Sequence, residues 1–284
     1  MKHILVTGGN GQLASCIKDI ENNYNSYNFI YTDYEDLDIC NKTQLDSFFK
    51  AHTLAFCINC AAYTAVDKAE SETEKAYLIN ATGAKNLAEI CKDYNVTMVH
   101  VSTDFVFQGN TNQSYTENDV TKPISVYGAS KLKGEQEIIK TLQNYFIIRT
   151  SWLYSEHGNN FVKTMLRLGK ERDELKVVND QIGTPTYAPD LAEVIMSFIV
   201  TKNVNYGTYH YSNDGVVSWF DFAASIFKLS KVDVKLTPIP SDHFPQDANR
   251  PKFSVLDKTK IKKELQISIK PWETSLQRCL QKLI

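Results

Sequence analysis

Through the first 150 residues, short apolar runs alternate with longer segments of helical spacing, and no other feature restricts the possible folds of this chain as much. HILVTG, NFIYTD, AFCINCAA, TMVHVSTD and YFIIRTS read as strands. The stretch after Gly11 and the segments KTQLDSFFKA, TEKAYLINATGAKNLAEICKDY and KLKGEQEIIKTL carry helical periodicity. A strand followed by a helix returns to the sheet in the same direction, so the pattern predicts βαβ units and a parallel sheet. Strands that are apolar without strict alternation suit a sheet covered on both faces. The predicted class is α/β, a Rossmann-type doubly wound parallel sheet. After residue 150 the alternation weakens, and Pro185, Pro189, Pro238, Pro240, Pro245 and Pro251 fall in loop-rich stretches. Residues 151–284 are expected to form a smaller substrate-binding region. Part of it, YAPDLAEVIMSFIV and GTYHYSN, returns to the sheet as one more helix and strand.

Composition narrows the partners. With 31 basic and 33 acidic residues the formal charge is -2, and no basic run marks a nucleic-acid footprint or a polybasic membrane patch. The apolar run before the first glycine is too short for a signal peptide, and no stretch approaches the roughly 18 apolar residues of a membrane span. A cytoplasmic location is the expectation. Six cysteines scattered without secretory features point to reduced thiols. Cys57-Ile58-Asn59-Cys60 spells C-x-x-C but lies in a run that reads as a buried strand, not at a helix N-terminus.

VTGGNGQLA places Gly8, Gly9 and Gly11 between the first strand and the first helix. Glycine permits positive φ and lets the backbone approach a pyrophosphate. The N–H groups that open the helix, those of Gln12 and Leu13, and the helix dipole can then hold that group. An ordinary tight βα turn is the alternative. The turn's place at the head of a βαβ pattern favours nucleotide binding, so residues 1–150 are read as a dinucleotide-binding domain. Asp33, at the end of NFIYTD, can accept the ribose hydroxyls of NAD and repel a 2′-phosphate. It can equally cap a turn, so NADH and NADPH both stay open. Asp38 and Ile39 follow where they can flank an adenine. Ala61 and Ala62 end a strand with little bulk, so that a cofactor can lie across it, and Tyr63 continues that side.

SVYGASKLKGEQ sets Tyr127 and Lys131 four residues apart, on one face of a helix, with only small residues between them. An ammonium so placed is expected to lower the tyrosine pKa and make Tyr127 a general acid or base. A carbonyl that accepts hydride from a nicotinamide needs such a proton donor. Ser102 and Thr103 end the strand TMVHVSTD, at the sheet edge where ligands bind, and a hydroxyl there can hydrogen-bond the carbonyl oxygen. Alone, Y-x-x-x-K also describes a solvated tyrosine beside a surface lysine. After a glycine-rich first turn and an STD strand end, in that order, it reads as a catalytic set.

TGGNGQLA, NCAAYTAVDKAE, STDFVF and YGASK resemble the ordered motifs of the extended short-chain dehydrogenase/reductases that act on nucleotide sugars. INCAAYTAVDKAE, RTSWLYSEHGNNFVKTMLRLGKER, VVNDQIGTPT and Arg250-Pro251 extend the resemblance over nearly the whole chain, to the dTDP-4-dehydrorhamnose reductase family. The resemblance implies reduction of the C4 ketone of dTDP-4-dehydro-L-rhamnose to dTDP-L-rhamnose by NADH or NADPH. It implies Tyr127 as proton donor, Lys131 as its partner and ribose ligand, Thr103 as carbonyl ligand, and Asp104 and Trp152 against the sugar. Related dehydratases carry a glutamate after the Thr-Asp pair, where this chain has Phe105, so elimination of water is not expected. A 4-epimerase, another nucleotide-sugar reductase, or a non-catalytic subunit like the regulatory subunit of methionine adenosyltransferase remain the rival readings.

Some members of the family bind magnesium through glutamates at a dimer interface. Here Cys16 and Pro189, with Asp190 beside it, stand at two of those positions and no third ligand is evident. No magnesium site is expected, and a homodimer is left open. Trp152 is either a sugar platform or a core tryptophan. Asn159, Asn160 and Phe161 hold the nucleotide or cap and pack a helix. Arg250 either clamps a diphosphate through two N–H groups or lies on the surface. The six histidines show no metal spacing, and no G-x-S-x-G marks a serine hydrolase.

Overall fold

The computed structural model describes residues 2–201 and 203–284. Its strands begin with β1 (Lys2–Thr7), β2 (Tyr27–Thr32), β3 (Leu54–Asn59), β4 (Thr97–Thr103), β5 (Tyr145–Thr150) and β6 (Leu153–Tyr154). They continue with β7 (Glu174–Val178), β8 (Ile182–Gly183), β9 (Thr186–Tyr187), β10 (Gly207–His210), β11 (Val217–Ser218) and β12 (Lys235–Ile239). The helices of the first half are α1 (Gln12–Ile20), α2 (Lys42–Ala51), α3 (Val66–Ser71), α4 (Thr73–Tyr77), α5 (Ala84–Asp93) and α6 (Val126–Thr141). Those of the second are α7 (Phe161–Glu171), α8 (Ala188–Val200), α9 (Trp219–Ser230), α10 (Thr259–Leu265) and α11 (Trp272–Leu283).

Six strands form one sheet in the order β10-β5-β4-β3-β1-β2, and every neighbouring pair is parallel. From β1 the chain steps outward to β2, then crosses back to β3 on the other side. The crevice at the carboxyl ends of β1 and β3 is thus a topological switch point, where open α/β sheets bind their ligands. Residues 33–41, between β2 and α2, run as turns and add no strand outside β2.

Each central strand is apolar throughout because both faces are covered. Ile4, Val6, Ile58, Val99, Phe146 and Ile148 pack with Leu13 and Ile17 of α1 and Leu191, Ile195 and Phe198 of α8. Their neighbours Leu5, Cys57, Met98 and Ile147 point the other way, to Leu45 and Phe49 of α2, Leu87 of α5 and Ile138 of α6. The C-x-x-C cysteine Cys57 is therefore a core residue, and all six cysteines are free thiols. A third apolar cluster, built on α7, α9, α11 and β7 around Phe222, Ile226 and Leu276, forms the smaller lobe beside the sheet.

The segment expected as one long helix is α4 and α5 joined by a π-helical turn, Leu78–Gly83. In that turn the buried Asn80 accepts the Tyr63 N–H at 2.8 Å through Oδ1 and donates through Nδ2 to the Tyr63 carbonyl at 3.1 Å and to Ser130 Oγ at 3.0 Å. One side chain thus ties the loop after β3 to α6. The wide turn places it, consistent with the tendency of π-turns to fall at functional sites.

Helix α6 carries the second buried tie. Glu135 Oε1 accepts Ser102 Oγ of β4 at 2.5 Å, and the carboxylate receives Arg149 of β5 through Nε at 3.0 Å and Nη2 at 2.7 Å. Both charged side chains are nearly inaccessible, 1% for Glu135 and 6% for Arg149. Removing one partner would leave the other charge buried and uncompensated. We expect Glu135→Ala to lose about 3–5 kcal/mol of folding free energy in chemical denaturation at 25 °C. A loss under about 1 kcal/mol, the range of an exposed pair, would show that the pair does not hold α6 to the sheet.

Candidate active site

At the switch point a cavity of about 610 Å³ is lined by Gly8, Gly11, Asp33, Asp38, Ile39, Ala61 and Ala62, seven of the residues expected to hold a dinucleotide. Gly8 has φ +67°, and a Cβ there would lie 2.7 Å from the Ala61 nitrogen, so both the turn and the close approach to the loop after β3 require glycine. Gly11 stands as N-cap of α1 without a side-chain cap, which leaves the N–H groups of Gln12 and Leu13 to meet an anion. These observations fit the pyrophosphate of NADH or NADPH. The side chains of Gln12, Leu13 and Tyr63 serve other purposes. Leu13 is core, Gln12 bonds the Leu153 carbonyl and Asn160, and the Tyr63 phenol donates to Glu72 at 3.1 Å.

Asp33 receives the Asn10 N–H at 2.9 Å on Oδ2 and the Tyr34 N–H at 2.7 Å on Oδ1. Its carboxylate caps the turn and also lines the cavity, so capping does not remove it from the place where a ribose ligand is expected. Asp38 Oδ1 accepts the Cys40 N–H at 2.8 Å and Ile39 closes the same wall. Tyr34, Leu37, Cys60, Lys75 and Ile79 also line it and went unrecognised in the sequence. Tyr34, Leu37 and Cys60 belong to loops, Lys75 to α4 and Ile79 to the π-helical turn, and helical periodicity alone does not say which residues of a helix face a ligand.

The catalytic candidates meet at the carboxyl end of β4. Ser125 caps α6 by accepting the Gly128 N–H at 3.2 Å. The small residues between Tyr127 and Lys131 let the helix approach backbone and do not simply clear space between the two side chains. A Cβ on Gly128 would overlap the Phe105 carbonyl oxygen. Tyr127 rests edge-on against the Phe105 ring, centroids 5.5 Å apart, so the position where dehydratases carry glutamate is filled by packing. Lys131 is buried and donates through Nζ to the Val101 carbonyl at 2.7 Å.

The expected lowering of the Tyr127 pKa is not found. Burial pushes the phenol up to about 12, an effect only partly offset by the Thr103 hydroxyl. Lys131 is itself brought down to about 8, because burial penalises the ammonium more than Glu135 supports it. Thr103 Oγ1 donates to Asp104 Oδ1 at 3.1 Å and accepts the Phe105 N–H at 3.2 Å, which fixes its orientation. Asp104 is 2% exposed, and burial raises its pKa to about 6. Its Oδ2 has no hydrogen-bond partner among the described residues. Ser254 lies close enough to oppose the rise in the Asp104 pKa.

The smaller lobe holds a second cavity of about 840 Å³, walled by α7, β7 and the loop before Arg250. Arg250 lines it and is bonded to Asp67. Trp152 does not line it directly. Held at φ +47°, its indole stacks on Trp219 at 3.5 Å and 8°, and Trp219 forms part of the wall with Phe161. Asn160 is N-cap of α7, accepting the Lys163 N–H at 3.2 Å. Its Nδ2 donates to Gln12 Oε1 at 2.8 Å and to the Ser155 carbonyl at 2.8 Å. The amide is thus committed to joining the two halves, and the Phe161 ring is the part of this motif that reaches the cavity. Trp219 belongs to no spacing that periodicity or motif can single out, and Asp67, although inside NCAAYTAVDKAE, went unrecognised because its partner Arg250 is 183 residues away.

At the positions considered for magnesium, Cys16 is fully buried in the core. Asp190 accepts from Ser275 and Arg278, each at 2.5 Å, and from Asn213 at 2.9 Å, so it anchors α11. Among the described residues one group, Asp19, Glu156 and His157, gathers possible metal ligands. Its members are already paired, Asp19 with His157 at 2.6 Å and Glu156 with Lys282 and the Tyr187 phenol.

Comparison with known proteins bears on the whole chain. Residues 1–284 match the family model described as RmlD substrate binding domain. A dTDP-4-dehydrorhamnose reductase of Aggregatibacter actinomycetemcomitans is 40% identical over 287 residues, covering 98% of each chain. The crystal structure of a dTDP-4-dehydrorhamnose reductase from Clostridium acetobutylicum superposes with TM-score 0.95 at 45% identity, over 99% of both chains. That of the Bacillus anthracis enzyme in complex with NADP gives TM-score 0.95 at 42% identity, over 99% of this chain and 100% of that one. A match running through both lobes, not only the sheet common to many nucleotide-binding proteins, places this chain in the dTDP-4-dehydrorhamnose reductase family, that of the RmlD substrate binding domain.

Proposed function

We propose that this protein reduces the C4 ketone of dTDP-4-dehydro-L-rhamnose to the alcohol of dTDP-L-rhamnose with NADPH or NADH. In this reading residues 1–150 hold the dinucleotide and most of residues 151–284 hold the nucleotide sugar. The observation that carries it is that α6 brings Tyr127 against Phe105 and Thr103, and Lys131 onto the Val101 carbonyl, at the carboxyl end of β4, with Cys60 of the glycine-lined cavity close to Lys131. No described helix is long and apolar enough to cross a membrane, and a cytoplasmic enzyme acting on a dTDP-sugar is part of the same proposal.

When bound, a reduced nicotinamide supplies the hydride. Gly8, Gly11 and the N-terminus of α1 would hold its pyrophosphate, Asp33 a ribose, and Lys131 the ribose next to the reacting ring. Thr103 Oγ1 turns its single proton from Asp104 to the carbonyl oxygen when substrate binds, and Tyr127 Oη gives that oxygen a proton as the C4 hydroxyl forms. A phenol raised to about 12 carries its proton at neutral pH, the state a reductase needs at the start of each turnover. The phenolate left behind lies one helical turn from the Lys131 ammonium, which stabilises it electrostatically. Asp104 is placed at the sugar end of the site, and Trp152 acts through Trp219, whose ring it backs. In the second cavity Phe161 and Trp219 offer aromatic faces to the base, and Arg250 a bidentate donor to the diphosphate.

Replacing Tyr127 with Phe removes the donated proton and leaves the ring's packing. We expect kcat to fall about a hundredfold to ten-thousandfold while the Kd for NADPH changes less than about threefold, followed by NADPH oxidation at 340 nm and by titration. Retained turnover would reject the assignment, and equal loss of both quantities would point to a structural effect.

The lowered pKa of Lys131 sets the alkaline limb. The ammonium is the active form, so activity is present below about 8 and is lost as pH rises through that value. The kcat/KM profile should therefore decline above about pH 8, two units before an ordinary lysine would titrate. A profile flat to pH 10 would contradict this role for Lys131.

A further inference from the structure

Residues 240–251 form one wall of the second cavity through His243, Phe244, Pro245, Gln246 and Arg250. Asp67, in the first turn of α3, ties this loop to the sheet side of the molecule. Its Oδ1 accepts the backbone N–H of Asp247 at 3.2 Å and of Ala248 at 3.1 Å. The same carboxylate takes Arg250 by two parallel bonds, Nη1 to Oδ1 at 2.9 Å and Nη2 to Oδ2 at 2.6 Å. Nη1 is further engaged by Gln246 Oε1 at 3.0 Å and the Ala248 carbonyl at 3.2 Å.

A guanidinium presents five N–H donors in a rigid plane. The bonds to Asp67, Gln246 and Ala248 use the Nη1 side and the Nη2 hydrogen that faces it. The remaining edge, Nε–H with the second Nη2–H, is the other two-pronged fork, and Nε makes no hydrogen bond among the described residues. Such a fork matches the spacing of two oxygens on one phosphate. The pair itself is too open to serve mainly for stability, with Asp67 42% and Arg250 21% exposed. Yet four donors converge on this one carboxylate, which orients Arg250 far more than a surface ion pair would.

We propose that Asp67 is a positioning residue, holding Arg250 on the cavity wall with its free fork turned to receive the diphosphate of a nucleotide sugar. This rests on the reading of Arg250 as diphosphate ligand. Asp67 touches neither the substrate nor the cofactor. It acts by limiting Arg250 to one orientation, so that the ordering cost is met before the substrate arrives.

The test compares Asp67→Asn, Asp67→Glu, Arg250→Met and the double variant Asp67→Asn/Arg250→Met. Calorimetry measures binding of dTDP, ligand-observed NMR measures binding of thymidine, and steady-state turnover gives kcat and KM. We expect Asp67→Asn to weaken dTDP binding and raise the KM of the nucleotide sugar about tenfold or more, with kcat within about twofold and thymidine binding unchanged. Asp67→Glu, which can still take the fork, should recover most of the loss. In the Arg250→Met background, Asp67→Asn should add nothing further. Three results would each overturn the proposal: dTDP binding by Asp67→Asn equal to or tighter than wild type, thymidine weakened as much as dTDP, or no dTDP binding by the wild type. Asp67-dependent dTDP binding in a wild type that fails to reduce dTDP-4-dehydro-L-rhamnose would support the positioning role while rejecting the reaction proposed above.

Discussion

The carboxylate of Glu135 receives hydrogen bonds from Ser102 and Arg149 in a part of the protein that water does not reach, and through them it joins α6, β4 and β5. Ser102 immediately precedes Thr103, and Glu135 lies one helical turn beyond Lys131, itself one turn beyond Tyr127. Holding the helix to the strand therefore holds the hydroxyl to the phenol and the ammonium. Gly128 completes the constraint by letting the helix settle on the Phe105 carbonyl. Two buried charges are costly to desolvate, and they persist here because several hydrogen bonds satisfy both.

That close packing also governs the electrostatics. The burial that brings Tyr127, Lys131 and Asp104 together penalises whichever form carries charge, so phenol and carboxyl rise while the ammonium falls. The outcome is a tyrosine that holds its proton at neutral pH and a lysine poised near neutrality. The sequence reading considered the lysine's attraction alone and so anticipated a lowered tyrosine. Desolvation depends on what surrounds the helix, and spacing within the helix says nothing of that.

The two halves are joined by polar side chains that each serve two segments. Gln12 opens α1 beside the glycine-lined cavity and reaches Leu153 and Asn160. Asn80 links the loop after β3 to α6. Asp67 links α3 to the wall of the second cavity. Each lies close to a recognised motif, yet its most distant partner is between 50 and 183 residues away in the chain.

The parallel sheet, the glycine turn and the Tyr-Lys helix were legible because each depends on local rules. Strands and helices alternate with their own periods, positive φ selects glycine, and residues four apart share a helix face. The course of residues 33–41, the π-helical turn, the Trp152–Trp219 stack and the pairing of Arg250 with Asp67 were not legible, because each is a choice of partner from elsewhere in the chain. Asn160 shows the boundary between the two. Its residue type announced both a helix cap and a hydrogen-bonding amide, and only its placement against Gln12 assigned the amide to joining the lobes. Local backbone energetics is written along the chain, whereas which distant groups share a buried volume is decided by packing, once the strands are in order and the helices have closed over them.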